Sequence, residues 1–86
     1  MPDSISNVRL EVVVLVHKMA SDSITGLVKT IDVSNELSKL YGTKYGAAKK
    51  SLSYLAKGGW LERPFRGCYR VSSKGYQALE DASVVL

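Results

Sequence analysis

Apolar side chains recur along this chain mostly at the three- and four-residue spacing of helices. Between residues 7 and 20, Val8, Val12, Leu15, Val16 and Met19 line one helical face. The valines favour a strand by propensity, but the run is too long for a typical strand. The pattern therefore predicts a helix with Ser6 as its N-cap. Leu10, Val13 and Val14 leave the opposite side apolar too, more than one core face needs and a pointer to a subunit contact. Residues 21–29 hold Asp22, Ser23 and Gly26 and read as a loop, with one short strand over 26–29. Thr30 is the expected N-cap of a second helix over 31–41, faced by Val33, Leu37, Leu40 and Tyr41 and ended by Gly42. Thr43 is the expected N-cap of a third helix, over 44–57, which Gly58 and Gly59 stop. Residues 60–63 and 68–71 read as strands joined by the tight loop Pro64-Phe65-Arg66-Gly67. Ser72 or Ser73 caps a last helix over 74–84, with Tyr76, Leu79 and Val84 inward. The predicted order is helix, short strand, helix, helix, strand, strand, helix: an α+β chain, mostly α.

Eighty-six residues predict a single domain over 1–86, with one modest core and no separate ligand-sensing unit. No repeat or low-complexity segment interrupts it. Cys68 is the one cysteine and His17 the one histidine, too few for an intrachain disulfide or an ordinary zinc site. Cys68 reads as a small strand residue in a reducing compartment. The start Met-Pro-Asp-Ser lacks the features of a signal peptide, and the longest apolar run, Val12 to Val16, is too short to span a membrane. The expectation is a soluble, cytoplasmic protein with no membrane partner, no cofactor, no metal and no small-molecule effector.

Charge changes the picture. The net charge is +4, but it is segregated. From Lys39 to Lys74, nine basic residues stand against Glu62 alone, whereas the rest of the chain is net acidic. A segregated basic half is the footprint of a polyanion binder, although a solvated basic face has the same composition.

Geometry sharpens that choice. On a helical wheel centred on Ala48, Leu52, Leu55 and Tyr45 point inward, while Gly46, Lys50, Ser53 and Lys57 lie opposite with Lys49 beside them. One face is apolar, the other small and basic. Lys49 and Lys50 can reach phosphates or guanine edges, Lys44 sits in the first turn, and Ser53 can donate or accept. Gly46 weakens the helix relative to alanine, so either close approach of a ligand or tight packing on the second helix must account for it. Tyr41 and Tyr45 are expected to complete the core, and Tyr54 lies between the faces. His17 has no catalytic partners in view, and no phosphate loop, nucleophile elbow or paired-carboxylate motif occurs, so an enzyme is not expected.

Two stretches carry a family resemblance. Leu52-Ser-Tyr-Leu55-Ala-Lys-Gly-Gly59-Trp60-Leu61-Glu62-Arg63 resembles the end of a winged-helix recognition helix running into its first wing strand. Tyr69-Arg70-Val71-Ser72-Ser73-Lys74-Gly75 resembles the second wing strand turning into the last helix. Their order and gap are similar to those of the winged helix-turn-helix superfamily, in the style of MarR-like and PadR-like regulators and small archaeal or viral winged-helix proteins. The resemblance covers about residues 30–79. It implies that the third helix reads the major groove of double-stranded DNA through Lys44, Tyr45, Gly46, Lys49, Lys50, Ser53, Tyr54 and Lys57. It also implies that residues 64–67 form a short wing, with Arg63, Arg66, Gly67 and Arg70 at flanking backbone.

The expected function is a small sequence-specific transcriptional regulator. The apolar surplus in the helices over 6–20 and 74–84 suggests a homodimer. The alternatives are a winged-helix protein-interaction module in a transcription, replication or segregation assembly, and a non-specific architectural DNA binder. The last would suit a third helix that faces outward without Arg, Asn or Gln.

Overall fold

Alternating runs of helical and extended pattern resolve, in the computed structural model, into four helices and a three-stranded antiparallel sheet over residues 7–82, with side chains described from Arg9 onward. The elements are α1 (Asn7–Ser21), β1 (Val28–Lys29), α2 (Thr30–Tyr41), α3 (Tyr45–Lys57), β2 (Leu61–Phe65), β3 (Cys68–Val71) and α4 (Ser73–Asp81). The α+β, mostly helical architecture and the element order match the expectation. Ser6 and Val84 lie outside the described residues, and nothing is described of the Val8 side chain.

Helix α1 departs from its predicted orientation. Its buried stripe is Val12, Val13 and Val16, so Val13, expected on the far side, is fully enclosed. Leu15 and Met19, expected on the buried face, are only partly covered, as are Leu10 and Val14. The reason is that α1 packs against α2, α3, α4, β1 and β3 together. Its apolar residues are distributed around most of its circumference because most of that circumference is covered. Of the apolar surplus of α1, Val13 is taken up inside the chain, whereas Leu10 and Val14 stay partly exposed.

The sheet order is β1-β3-β2. Val28, Tyr69, Val71 and Leu61 form its inner face, with Val28 opposite Tyr69 and Leu61 opposite Val71. The outer face carries Lys29, Cys68 and Phe65 in one row and the Glu62–Arg70 pair in the next. Pairing slips by one residue between Glu62 and Phe65. Pro64, which has no N–H to give, falls inside that bulge on an edge strand, where a missing ladder bond is tolerated. The expected four-residue loop at 64–67 is therefore a turn of Arg66 and Gly67, and β2 begins at Leu61 and not at Trp60. Gly67 takes the positive φ of 76° that the turn demands.

Two cap predictions also shift. Lys29, not Thr30, is the N-cap of α2, and Lys44, not Thr43, that of α3; neither gives a side-chain cap bond. Thr30 instead uses both its groups on one distant oxygen: its amide donates to the Gly67 carbonyl at 2.9 Å and its hydroxyl to the same atom at 3.3 Å. That pair ties the hairpin turn to the start of α2. Ser72 caps α4 as expected, accepting from the Gly75 amide at 3.1 Å while its hydroxyl donates to the Gly59 carbonyl. Gly42 closes α2 in the left-handed conformation, at φ 69°, and turns the chain into α3 across residues 42–44.

The inner face of α3 is as predicted for Ala48, Leu52 and Leu55, all fully buried. Tyr45 is not part of it, being 49% exposed. Leu40 and Tyr41, expected inside, are 57% and 59% exposed. All three sit where α2 ends and α3 begins, beyond the reach of the core. Tyr76, expected inward on α4, is also exposed, although its ring meets His17 edge-on at 5.4 Å.

Candidate nucleic-acid interface

Because Ala48, Leu52 and Leu55 hold α3 to the core, the wheel carries its other side outward. Gly46, Lys49, Lys50, Ser53, Tyr54 and Lys57 line one open depression of about 530 Å³ along this helix. A second depression, of about 290 Å³, is lined by Ser53, Ala56, Lys57 and Arg63 and continues the surface from α3 onto β2. Every charged residue lining the two is basic. Six of the eight residues predicted on α3 thus share one surface, and Arg63 of the hairpin joins it.

The other predicted positions stand apart from it. Lys44 and Tyr45 are exposed at the start of α3 but line neither depression. Arg66 is exposed at the hairpin turn, where Gly67 bonds back to α2. Arg70 lies on the outer sheet face with its Nε 2.7 Å from a Glu62 carboxylate oxygen, so its charge is partly answered within the chain. A mainly solvent-exposed ion pair of this kind adds little to stability. It does remove Arg70 from the set of unopposed cations facing a polyanion.

Gly46 has open space around it, with nothing within 4 Å of where a Cβ would sit. Packing against α2 does not account for this glycine. It leaves the α3 surface bare beside Lys49 and Lys50.

Lys74, the last cation of the basic half, works inside the fold. Its Nζ donates to the Gly58 carbonyl at 2.7 Å and stands 4.4 Å from the Trp60 ring centroid. It thereby satisfies a carbonyl at the C-terminal end of α3, where a cation also meets the negative end of the helix dipole.

Two participants had no local signal. Arg9, from the acidic part of the sequence, places its guanidinium carbon 3.8 Å over the Tyr54 ring. Glu11, two residues further along α1, accepts a hydrogen bond from the Tyr41 hydroxyl and pushes the Tyr41 pKa above its ordinary value, by that bond and by its negative charge. Both interactions cross from α1 to residues at least 30 positions away.

Among the described residues, no group of three or more His, Cys, Asp or Glu comes close enough to hold a metal ion. None of the helices there is long and apolar enough to cross a membrane. Comparison with known proteins finds no matching family model, no matching curated protein and no matching solved structure. The class that the fold and site define is a small α+β chain presenting one basic helix face beside a β-hairpin.

Proposed function

We propose that this chain is a winged helix-turn-helix domain that binds double-stranded DNA. In this reading α2 and α3 are the helix-turn-helix, α3 lies in the major groove, and the β2–β3 hairpin is a short wing against flanking backbone. The observation that carries the reading is the continuous, acid-free surface formed by Lys49, Lys50, Ser53 and Lys57 with Arg63. The roles follow from chemistry. The lysines neutralise phosphates or meet guanine edges, Ser53 offers a hydroxyl to either, and the bare Gly46 lets the helix axis come close. Arg66, at the hairpin turn, reaches a neighbouring phosphate. Within this reading the protein is a sequence-specific transcriptional regulator of the cytoplasm. The case for a homodimer rests on the apolar stretches at the two ends of the chain, Val12 to Val16, where Val14 and Leu15 are only partly covered, and Ala82 to Leu86, of which 83–86 lie outside the described residues.

A duplex-DNA titration across a salt series tests this, with the wild type beside a folded Lys49→Ala/Lys50→Ala variant. The wild type is expected to weaken steeply with salt. The variant should bind more weakly and with a shallower slope, by about 0.9 for each phosphate no longer neutralised. No binding by the wild type at low salt would overturn the reading.

A protein-interaction module is the second reading, favoured by the side chain of Phe65, 66% exposed on the outer face of the hairpin. It predicts the reverse outcome: Phe65→Ala abolishes partner capture and the lysine variant leaves it intact. An architectural binder is separated from a regulator by competition, since it would show no preference among duplexes of different sequence.

A further inference from the structure

Arg9 and Tyr54 belong to a run of four side chains that crosses the molecule. The Arg9 guanidinium lies 3.8 Å over Tyr54. Tyr54 lies nearly parallel to Trp60, with centroids 6.2 Å apart and planes at 14°. Trp60 in turn carries the Lys74 ammonium 4.4 Å from its centroid. The order is cation, ring, ring, cation, drawn from α1, α3, the turn after α3, and α4. Its far end is firmly held: Trp60 is buried, its amide donates to the Leu55 carbonyl at 2.9 Å, and Lys74 is bonded to Gly58.

Tyr54 is the member that reaches the basic surface. It is 46% exposed and lines the same depression as Lys49, Lys50 and Ser53. A tyrosine on an open helix face is ordinarily free to change rotamer and to offer its ring to a base. Here a guanidinium already covers one ring face, and an indole lies alongside. With one ring face already taken, the hydroxyl, a donor and acceptor, is the group through which Tyr54 can serve a ligand.

We propose that Arg9 is a positioning residue for the DNA-contact surface, holding Tyr54 on α3 so that its hydroxyl meets the duplex. This rests on the DNA-binding reading above. It assigns Arg9 a role distinct from the lysines: its charge acts on a protein ring, and Tyr54 makes the contact. The attraction between a cation and an aromatic face suits that task, because it fixes the ring without occupying its hydroxyl.

The test is a mutant cycle read by binding to a mixed-sequence DNA duplex two helical turns long, over a salt series. Tyr54→Phe is expected to weaken binding about two- to tenfold, the loss of one hydrogen bond. Arg9→Ala should weaken it by a similar factor with the salt slope unchanged. Arg9→Lys should restore most of the affinity, since an ammonium also sits over an aromatic face. The Arg9→Ala/Tyr54→Phe double variant should bind no more weakly than either single one. Thermal unfolding of each variant separates failure to fold from failure to bind, and Arg9→Gln serves if the alanine variant does not fold. A salt slope that falls by about 0.9 in Arg9→Ala would make Arg9 a phosphate ligand itself and overturn the positioning role. Additive losses, or full binding by Tyr54→Phe, would overturn it as well. The two readings fail separately. If the wild type does not bind and the lysine variant is no different, DNA binding is lost and this role with it. If the wild type binds through Lys49 and Lys50 while the Arg9 cycle is additive, only the positioning role falls.

Discussion

Gly46 occupies the second position of α3 with empty space where a side chain would begin. A methyl group there meets nothing in the protein and removes backbone freedom from the unfolded chain. Gly46→Ala should therefore raise stability, by about 0.5–1 kcal/mol in urea unfolding. In the major groove the same methyl group would stand between α3 and the bases, so DNA affinity should fall while stability rises. Opposite signs from one substitution are the mark of a residue kept for its surface; a parallel rise would return Gly46 to a neutral position. The residue types on this face were legible in the sequence, because a wheel needs only spacing. Two of the tyrosines were not. Tyr41 and Tyr45 stand at core spacing on their helices, yet both rings are largely exposed where α2 hands over to α3, and only the Tyr41 hydroxyl finds a partner, Glu11 of α1. Arg9 was invisible for another reason: its partner lies 45 positions on, and no local pattern links them.

Among the elements, the joint between α3, the sheet and α4 has the least room. A Cβ at Gly75, in the first turn of α4, would stand 2.2 Å from the Trp60 carbonyl oxygen and 2.7 Å from Val71 Cγ1. The oxygen is backbone, already accepting from the Ser72 amide at 3.2 Å, so it cannot swing aside. Gly75→Ala should cost about 1–3 kcal/mol of unfolding free energy, the scale of overpacking in a close-packed interior. A near-wild-type denaturation midpoint would show that α4 shifts freely against the sheet. The Ser-Lys-Gly run at the start of α4 thus has an explanation in packing: Lys74 reaches back to α3 and Gly75 makes close approach possible. Element order and most boundaries were readable because turn residues punctuate the chain clearly, at Gly42, Gly58 and Gly67. The N-caps of α2 and α3 were not, since a threonine hydroxyl serves whichever acceptor the tertiary fold brings near. For Thr30 that acceptor is 37 residues away.

Across the whole molecule, one helix stands at the middle of the arrangement. Helix α1 packs on α2, α3, α4, β1 and β3, and three of its valines are buried. It touches every other helix and two of the three strands. Local opening that exposed the middle of α1 would have to part it from helices and sheet at once, which amounts to unfolding the chain. The amides of residues 12–16 should therefore exchange with deuterated solvent only through global unfolding. Their opening free energy should equal that from denaturant melts and shift one for one with the destabilisation caused by Gly75→Ala. The amides at the start of α3, beside exposed Tyr45 and Gly46, should exchange through smaller openings. The start of the basic helix would then belong to the softest part of the molecule, and the helix it packs on to the hardest.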